Sequence, residues 1–269
     1  MESLLLAGLL GLIQGLTEFL PVSSSGHLIL ARAAFGWEGE RFGLAFDVAC
    51  HVGTLLAVVV YFRRELAAMV VALPQVLSPP LSVPARQIWL LAAGTAPVVV
   101  AAVAFSNAVE STLRTPAVVV AMLALVALAF FVVERVGTKT RTEDSITVKE
   151  AVLLGCAQAL ALVPGVSRSG STIAAGMFMG LRRSDAARFS FLLGVPAILA
   201  AAGKEGIDLI RLGLAPGELQ LFAVGVATSA VVGYFTVKYF IRFLGVHSLR
   251  AFAWYRLALA AAFVAWWVR

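Results

Sequence analysis

An acid, three consecutive serines and a histidine lie close together in an apolar part of the chain, in residues 14–27 (QGLTEFLPVSSSGH). Residues 163–172 (VPGVSRSGST) have the same character and add an arginine, Arg168. Polar groups cost free energy in hydrocarbon unless they are hydrogen-bonded or used for function. We therefore expect the two segments to meet within a membrane and to form one site that handles phosphate.

Backbone and side-chain donors in both segments are suited to binding phosphate. A short helix is predicted to begin just after each break, and the first N–H groups of a helix lack intrahelical partners and carry partial positive charge. Two such helix ends that converge form an anion site, to which Arg168 adds a bidentate fork. The further candidates for phosphate binding are Ser23, Ser25, Gly26, Ser167, Ser169, Gly170, Ser171 and Thr172.

Three residues are candidates for catalysis by their chemical type alone, namely Glu18, His27 and Arg168. Glu18 and His27 add the capacity for proton transfer or metal binding, which favours hydrolysis over binding alone. A divalent metal would keep Glu18 ionised and would neutralise a diphosphate. Structural alternatives remain open: the serines as helix caps, Glu18 or His27 as packed hydrogen-bonded groups, and Arg168 as an ion-pair partner of Glu18.

Asp47 and His51 lie one helical turn apart on the first predicted span, so that they face the same way. They could form a second layer that orients His27 or the metal. Alternatively, they could be an Asp–His pair that satisfies itself while it lines the same polar interior.

The composition indicates a membrane protein with several spans. The chain has 269 residues, of which 61% are hydrophobic and 13% charged, with a mean hydropathy of +0.94. A soluble domain carries roughly 25% charged residues. The apolar runs are long and nearly continuous, which favours α-helices over barrel strands. The net charge of +6 suits anionic lipid headgroups, and nucleic acid is not expected as a partner.

An internal repeat relates the two halves of the chain. Adding 144 to a residue number pairs Gly11 with Gly155 and Gln14 with Gln158. The same offset pairs serines and glycines of the two motifs without a gap, as in Ser23 with Ser167. Repeats of this kind in membrane proteins usually mean two related halves with the site between them. We expect the halves to be residues 1–140 and 141–269.

Each half should contain a re-entrant helix–loop–helix hairpin followed by three spans. The hairpins are predicted at residues 1–35 and 151–181, because the breaks fall where membrane depth should be greatest and irregular backbone is tolerated when it is buried in protein. In the first hairpin, helices are expected from Ser3 to Leu20 and from Gly26 to near Phe35. Prolines predict a loop at residues 71–86. The six spans are expected at 45–62, 88–105, 116–133, 189–203, 219–237 and 251–268.

An odd number of spans per half requires the halves to have opposite orientations. Loops on one predicted side carry 14 of the 21 Lys and Arg residues, Arg256 among them, and those on the other carry 6, with Arg168 inside the membrane. The richer side should be cytoplasmic, so both termini and the mouth of the first hairpin face outward. We therefore expect an all-α polytopic membrane protein with inverted-topology repeats. Trp254, Tyr255, Trp266 and Trp267 are expected to be interface anchors.

The segments QGLTEFLPVSSSGHL (14–28) and PGVSRSGSTI (164–173) resemble those of the bacterial undecaprenyl-diphosphate phosphatase family that is associated with bacitracin resistance. The resemblance runs through essentially the whole chain. It implies an inner-membrane enzyme with six spans and two re-entrant hairpins. It also implies removal of the terminal phosphate from a C55 prenyl diphosphate on the periplasmic side, which recycles the lipid carrier for cell-wall synthesis.

The same resemblance implies dependence on a divalent cation, Mg²⁺ or Ca²⁺, and places Glu18, Ser24, His27 and Arg168 on functional positions of the family. Gln14 stands where many members have a second glutamate. Either Glu18 alone holds the ion together with substrate oxygens, with Gln14 as a further candidate ligand, or Asp47 substitutes.

Two questions stay open at the level of sequence. Ser24 is the first choice as nucleophile, with His27 or Glu18 as the proton acceptor, but direct attack by His27 or by water is an alternative. The main rival function is a transporter or translocase of polyprenyl phosphate or another anion, because inverted repeats around a midplane site are common in transporters. Membrane lipids are expected partners, and whether the protein is a homodimer is open.

Overall fold

The computed structural model describes residues 2–35, 42–212 and 217–268. These residues form α-helices joined by short turns and contain no β-strand. In chain order the helices are α1 (Glu2–Thr17), α2 (Ser24–Phe35), α3 (Leu44–Tyr61), α4 (Arg63–Ala72), α5 (Val83–Ala108), α6 (Pro116–Val136), α7 (Val148–Ala159), α8 (Arg168–Phe178), α9 (Arg183–Leu212), α10 (Glu218–Leu244) and α11 (Arg250–Trp267).

The described residues include four helices that are long and apolar enough to cross a membrane, namely α5, α6, α9 and α10. Helices α3 and α4 would together make a fifth span, but the chain bends by 78° between them. Helix α11 forms where a span is predicted, although it is not among the helices that meet this criterion, and α1 is a shorter apolar helix. The prediction of an all-helical, multi-pass membrane protein is confirmed.

Several helix ends differ from the predictions, and the two in the first hairpin have local causes. Helix α1 ends at Thr17 and not at Leu20, because the chain turns towards Pro21 and a residue before proline disfavours helical geometry. Helix α2 begins at Ser24 and not at Gly26, since the Ser23 hydroxyl accepts a hydrogen bond from the Gly26 N–H and caps the helix.

Two further helices start earlier than predicted. Helix α5 begins at Val83, so the loop predicted at residues 71–86 is shorter; Pro84 falls in the first turn, where its missing N–H costs nothing. Helix α7 begins at Val148, since Thr147 and Glu150 form a capping box in which each side chain bonds the other's backbone N–H.

The first helix of each broken hairpin packs against a long helix of the other half. Helix α1 lies along α10, and α7 lies along α5. Glycines allow these backbones to approach closely: a Cβ on Gly11 would lie 2.8 Å from the Gly225 carbonyl, and one on Gly155 would overlap Gly94. Gly11 and Gly155 are a repeat pair, so the same position makes the close contact in both halves.

Ion pairs join the segment between the halves to α7, and α9 to α6. Arg141 makes a bidentate pair with Glu150 at 2.6 and 3.0 Å. Arg183 pairs with Glu134 in the same way at 2.8 and 2.5 Å. All four residues belong to the side of the molecule that is predicted to be rich in positive charge.

One basic residue lies elsewhere than predicted. Arg256, expected in a connecting loop on the basic side, lies within α11 and is fully buried, which removes it from the charge comparison without changing the majority. On the poorer side, Arg41 and Arg269 and the side chains of Lys204 and Arg211 lie outside the described part of the chain.

Candidate active site

The two breaks in the hairpins have the same local geometry. Ser23 and Ser167, which are a repeat pair, adopt positive φ angles of 73° and 76°. Their hydroxyl oxygens accept hydrogen bonds from the backbone N–H groups of Gly26 and Gly170, at 3.2 and 3.1 Å. Each serine is therefore an N-cap, and α2 and α8 begin inside the two motifs with their first N–H groups at the breaks.

Ser24 and Arg168 are the first residues of α2 and α8 and occupy equivalent positions of the repeat. Both reach the carboxylate of Glu18, which is 6% exposed. Ser24 Oγ donates to Glu18 Oε2 at 2.8 Å, and Arg168 Nη2 donates to Glu18 Oε1 at 2.9 Å. Gln14 Nε2 also donates to Glu18 Oε2, at 2.9 Å. The structure thus brings three of the four predicted catalytic residues together, with Gln14 beside them.

His27 faces a different neighbour. Its Nδ1 lies 2.7 Å from the Ser23 carbonyl oxygen, and its Nε2 lies 2.7 Å from the Tyr255 hydroxyl. A carbonyl only accepts, so Nδ1 carries the proton and Nε2 of the neutral ring accepts from Tyr255. Among the described contacts of the His27 ring, none goes to Glu18 or Ser24. The expectation that His27 joins Glu18 and Arg168 directly is therefore not met by these hydrogen bonds.

His51 occupies the place beside Glu18. Its Nε2 lies 3.4 Å from Glu18 Oε2, and its Nδ1 bonds the Asp47 carbonyl oxygen at 2.8 Å. Since Nδ1 donates to a carbonyl, the contact with Glu18 is attractive when Nε2 is protonated as well. His51 therefore acts on the acid of the site and not on His27.

Asp47 faces away from this cluster. Its carboxylate pairs with both terminal nitrogens of Arg32, at 2.8 and 2.5 Å, and lies 3.7 Å from Arg114. Of the two alternatives for this pair, the self-satisfied one is met through the backbone only, because His51 bonds the Asp47 carbonyl oxygen while the carboxylate pairs with Arg32. The described contacts of the Asp47 carboxylate go to Arg32 and Arg114 and not to Glu18.

The second terminal nitrogen of Arg168, Nη1, lies against α9. Nη1 is buried and has no hydrogen-bond partner among the described residues. It lies against Gly194, where any Cβ would overlap the guanidinium. Gly194 thus provides the space for Arg168.

Some of the other predicted phosphate ligands already donate their hydroxyl hydrogen to a carbonyl oxygen of the protein. Ser169 Oγ donates to the Leu20 carbonyl at 3.2 Å, which joins the two loops. Ser171 and Thr172 donate back to the Arg168 carbonyl at 3.1 and 2.8 Å. Their hydroxyl hydrogens are therefore already used within the protein.

Short contacts between hydroxyls occur in both loops. Ser25 Oγ lies 3.4 Å from Ser23 Oγ, and Ser167 Oγ lies 3.2 Å from Ser169 Oγ. Hydroxyls paired in this way can exchange partners when an anion arrives.

Oxygen atoms around Glu18 fit a hard divalent cation that completes its shell with substrate. Gln14 Oε1 is buried and unpartnered next to the Glu18 carboxylate. The described residues contain no group of three or more His, Cys, Asp or Glu that could hold an ion alone. Magnesium is commonly held by one or two carboxylates together with phosphate oxygens, which is the donor set that Glu18, Gln14 and a diphosphate provide.

Three residues near the site escape the sequence analysis. Tyr255 is expected at the membrane interface, yet its hydroxyl bonds His27. Gly194 and Arg256 carry no motif that would place them beside Arg168 or the loops. Together, the buried carboxylate, the cations and the helix N-termini form a site suited to binding a phosphate and to accepting a proton from a serine.

Comparisons with known proteins agree with this chemistry. Residues 7–262 match the family model described as bacitracin resistance protein BacA. The chain is 50% identical to an undecaprenyl-diphosphatase of Rubrobacter xylanophilus over 264 residues, 97% of each protein. It is 46% identical to one of Trichlorobacter lovleyi over 257 residues, 95% of this chain and 94% of that protein. An undecaprenyl-diphosphatase of Geobacter metallireducens is 44% identical over 95% of both chains.

Proposed function

This chain belongs to the BacA family of bacitracin resistance proteins, and on that basis we propose that it is a membrane phosphatase that hydrolyses undecaprenyl diphosphate to undecaprenyl phosphate and inorganic phosphate. This activity recycles the lipid carrier for cell-wall synthesis and confers resistance to bacitracin. The observation that carries the proposal is the contact of Ser24 and Arg168, from opposite halves, with the one carboxylate of Glu18.

Ser24 is the nucleophile in this proposal. Its oxygen attacks the terminal phosphorus, and its proton passes to Glu18 Oε2, which already accepts the Ser24 hydrogen bond. The bond from phosphorus to the bridging oxygen breaks, undecaprenyl phosphate leaves, and the phosphoryl group remains on Ser24. Water then attacks the phosphoserine and the bond from phosphorus to the Ser24 oxygen breaks. Inorganic phosphate leaves as dihydrogen phosphate with both protons of the water, and the Ser24 oxygen takes its proton back from Glu18.

Positive charge and fixed donors stabilise the transferring phosphoryl group. Arg168 offers the unpartnered Nη1 while Nη2 stays on Glu18, and the N-termini of α2 and α8 add backbone N–H groups. Such preorganised donors are most of what phosphoryl transfer requires from a protein. Open hydroxyls of the loops, such as Ser25 and Ser167, bind the remaining oxygens.

Glu18 is favoured over His27 as the proton acceptor, since both ring nitrogens of His27 are engaged by Ser23 and Tyr255. The same contacts disfavour direct attack by His27. We assign His27 to holding the Ser23 backbone through Nδ1; if the ring is protonated after Tyr255 turns away, Nε2 can donate to a phosphate oxygen.

A divalent cation, Mg²⁺ or Ca²⁺, completes the proposed site, with Glu18 and Gln14 as its protein ligands. When bound, the cation supplies positive charge that neutralises part of the diphosphate. The residues of the chain position the substrate and transfer the proton.

The proposed architecture is six spans and two re-entrant hairpins in inverted repeats. It is supported by the matching geometry of the Ser23 and Ser167 breaks and by the reciprocal packing of α1 on α10 and α7 on α5. Under this proposal α11 is a sixth span and α3 with α4 forms the first. Under this proposal the apolar helix faces contact membrane lipids. Whether the protein is a homodimer can be tested by measuring the size of the detergent-solubilised protein.

We further propose the bacterial inner membrane as the location, with the basic side cytoplasmic, both termini outside and the site open to the periplasm. The lipid tail stays in the bilayer, where each buried CH₂ contributes about 0.8 kcal/mol. The diphosphate then reaches the site from the outer leaflet.

Phosphate release from undecaprenyl diphosphate by the purified protein in detergent tests this function, because no compartments exist there. The Ser24→Ala and Glu18→Gln variants should lose at least about 100-fold in kcat, whereas Ser78→Ala, in an exposed loop, should retain it. Binding of the lipid without release of phosphate would instead favour a transporter or translocase.

Trapping of the phosphoenzyme identifies the nucleophile. A label from a terminally labelled substrate should map to Ser24. A label on His27 would assign the attack to the imidazole, and repeated failure to label either residue during turnover would assign it to water.

A further inference from the structure

One buried arginine links the two broken loops. Arg256 in α11 has no exposed surface, and its guanidinium donates to backbone carbonyls of both halves. Nη1 bonds the Pro21 oxygen at 3.1 Å, while Nη2 bonds the Gly165 oxygen at 2.7 Å and approaches the Val166 oxygen at 3.4 Å. Pro21 and Gly165 are a repeat pair, so the same carbonyl of each half meets the same side chain.

The remaining donors of Arg256 bind α6. Nε bonds the Leu123 oxygen and Nη2 the Met122 oxygen, each at 3.1 Å, and the Phe130 ring centre lies 5.6 Å from the guanidinium carbon. Within the described part of the chain Arg256 forms no ion pair. A buried cation without a carboxylate partner is costly, so the oriented carbonyls must compensate its charge. The charge therefore fixes the directions of five peptide groups.

The loop carbonyls among these groups precede the two serines that adopt positive φ. The Pro21 and Gly165 carbonyls lie two residues before Ser23 and Ser167, whose left-handed backbone is unfavourable for residues with a Cβ. Strained conformations of this kind persist only where the surroundings hold them. Arg256 is the side chain that holds both at once.

We propose that Arg256 is a positioning residue for the phosphatase reaction, which sets Ser24 and Arg168 opposite each other by holding the two loops on one guanidinium. This inference rests on the proposed function, but its mechanical part does not depend on catalysis. Lysine keeps the charge yet lacks the planar fork, so it cannot bond both loops and α6 together. Arg256→Lys therefore tests the hydrogen-bonding geometry of the guanidinium while the positive charge is kept.

Hydrogen exchange tests the mechanical part without a substrate. In purified Arg256→Lys, peptides covering residues 18–26 and 163–171 should exchange at least about tenfold faster than in the parent, while α3 and α10 remain as protected as before. Arg250→Lys, an exposed arginine at the start of the same helix, is the matched control and should change neither segment. Faster exchange in one loop alone, in neither loop, or throughout the molecule would overturn the proposal.

Kinetics test the catalytic part. Because a small misplacement of reacting groups costs on the order of 100-fold, kcat of Arg256→Lys should fall by about that factor with KM within about threefold of the parent. An unchanged kcat would overturn the catalytic role. If the parent itself released no phosphate, the proposed function would fail while the exchange result would stand.

A second variant serves if the lysine variant does not fold. Phe130→Leu removes the ring beneath the guanidinium and leaves every donor of Arg256 in place. Phe130 also borders Gly170, so residues 18–26 give the readout. They should exchange faster, by a smaller factor, and unchanged exchange there would overturn the proposal.

Discussion

Glu18 and Arg168 are 150 positions apart in the chain, yet Arg168 Nη2 donates to Glu18 Oε1 at 2.9 Å in the interior of the protein. Their side chains are only 5% and 14% exposed, so each charge depends on the other for compensation. The pair is therefore both a part of the site and a link between the halves.

Breaking this pair on one side should be more harmful to stability than removing it altogether. Glu18→Gln or Arg168→Met alone leaves a buried charge without its partner and should lower the free energy of unfolding by about 3–5 kcal/mol. The double variant should lose less than either single variant. Chemical unfolding in detergent measures this coupling, and strictly additive losses would contradict it.

Gly194→Ala should impair catalysis through Arg168. The added methyl group overlaps the guanidinium and must displace it, so kcat should fall by about 10- to 100-fold. Gly203→Ala lies on the same helix in open space and should leave kcat unchanged. Phosphate-release kinetics of both variants decide the matter, and equal activities would show that Arg168 tolerates another position.

His51→Asn and Asp47→Asn should have different effects although they lie one turn apart. Loss of the His51 contact with Glu18 should reduce kcat by about tenfold, since a positive partner of the acid disappears. Asp47→Asn should keep kcat and lower stability, because Arg32 loses its carboxylate. Michaelis kinetics with thermal unfolding distinguish the two, and a reversed pattern would return Asp47 to the site.

Gln14→Leu should raise the cation concentration needed for half-maximal activity, because it removes the unpartnered amide oxygen beside Glu18. Gln158→Leu provides the matched control, since Gln158 is the repeat partner of Gln14 and is equally buried. Titration with Mg²⁺ and Ca²⁺ after treatment with a chelator measures the effect. Equal cation requirements in the two variants would exclude Gln14 as a ligand.

The stability of the protein should fall in acid through Glu150. The hydrogen bond from Arg141 lowers the pKa of Glu150 from 4.5 to about 2, so its stabilising contribution is complete above pH 4.5 and disappears as the pH falls towards 2. The difference in melting temperature between the parent and Glu150→Gln should shrink over this interval. A difference that stayed constant from pH 6 to pH 2.5 would count against the assignment.

Sequence reasoning could find the two broken loops because their residues carry the information locally. Ser23 and Ser167 recur at a fixed offset, and a serine before a helix is a known cap. The meeting of Glu18 with Arg168 also follows, since each would be costly in hydrocarbon without a partner. The capping box of Thr147 and Glu150 was equally readable and would have placed the start of α7 correctly.

The partners of Arg256 and His27 could not be found in this way. Arg256 bonds backbone carbonyls, which every residue possesses, so no sequence pattern marks its destination. His27 and Tyr255 are 228 positions apart, and a tyrosine near a helix end is as compatible with a lipid interface as with a buried contact. The role of Gly194 depends on the position of the Arg168 guanidinium, which the sequence does not give.

Ser24 and Arg168 occupy equivalent positions of the internal repeat, yet their chemistry differs. One carboxylate therefore meets a hydroxyl on one side and a guanidinium on the other. Under the proposed mechanism this asymmetry gives the site a single attacking side, so the two phosphoryl groups of a bound diphosphate are not interchangeable.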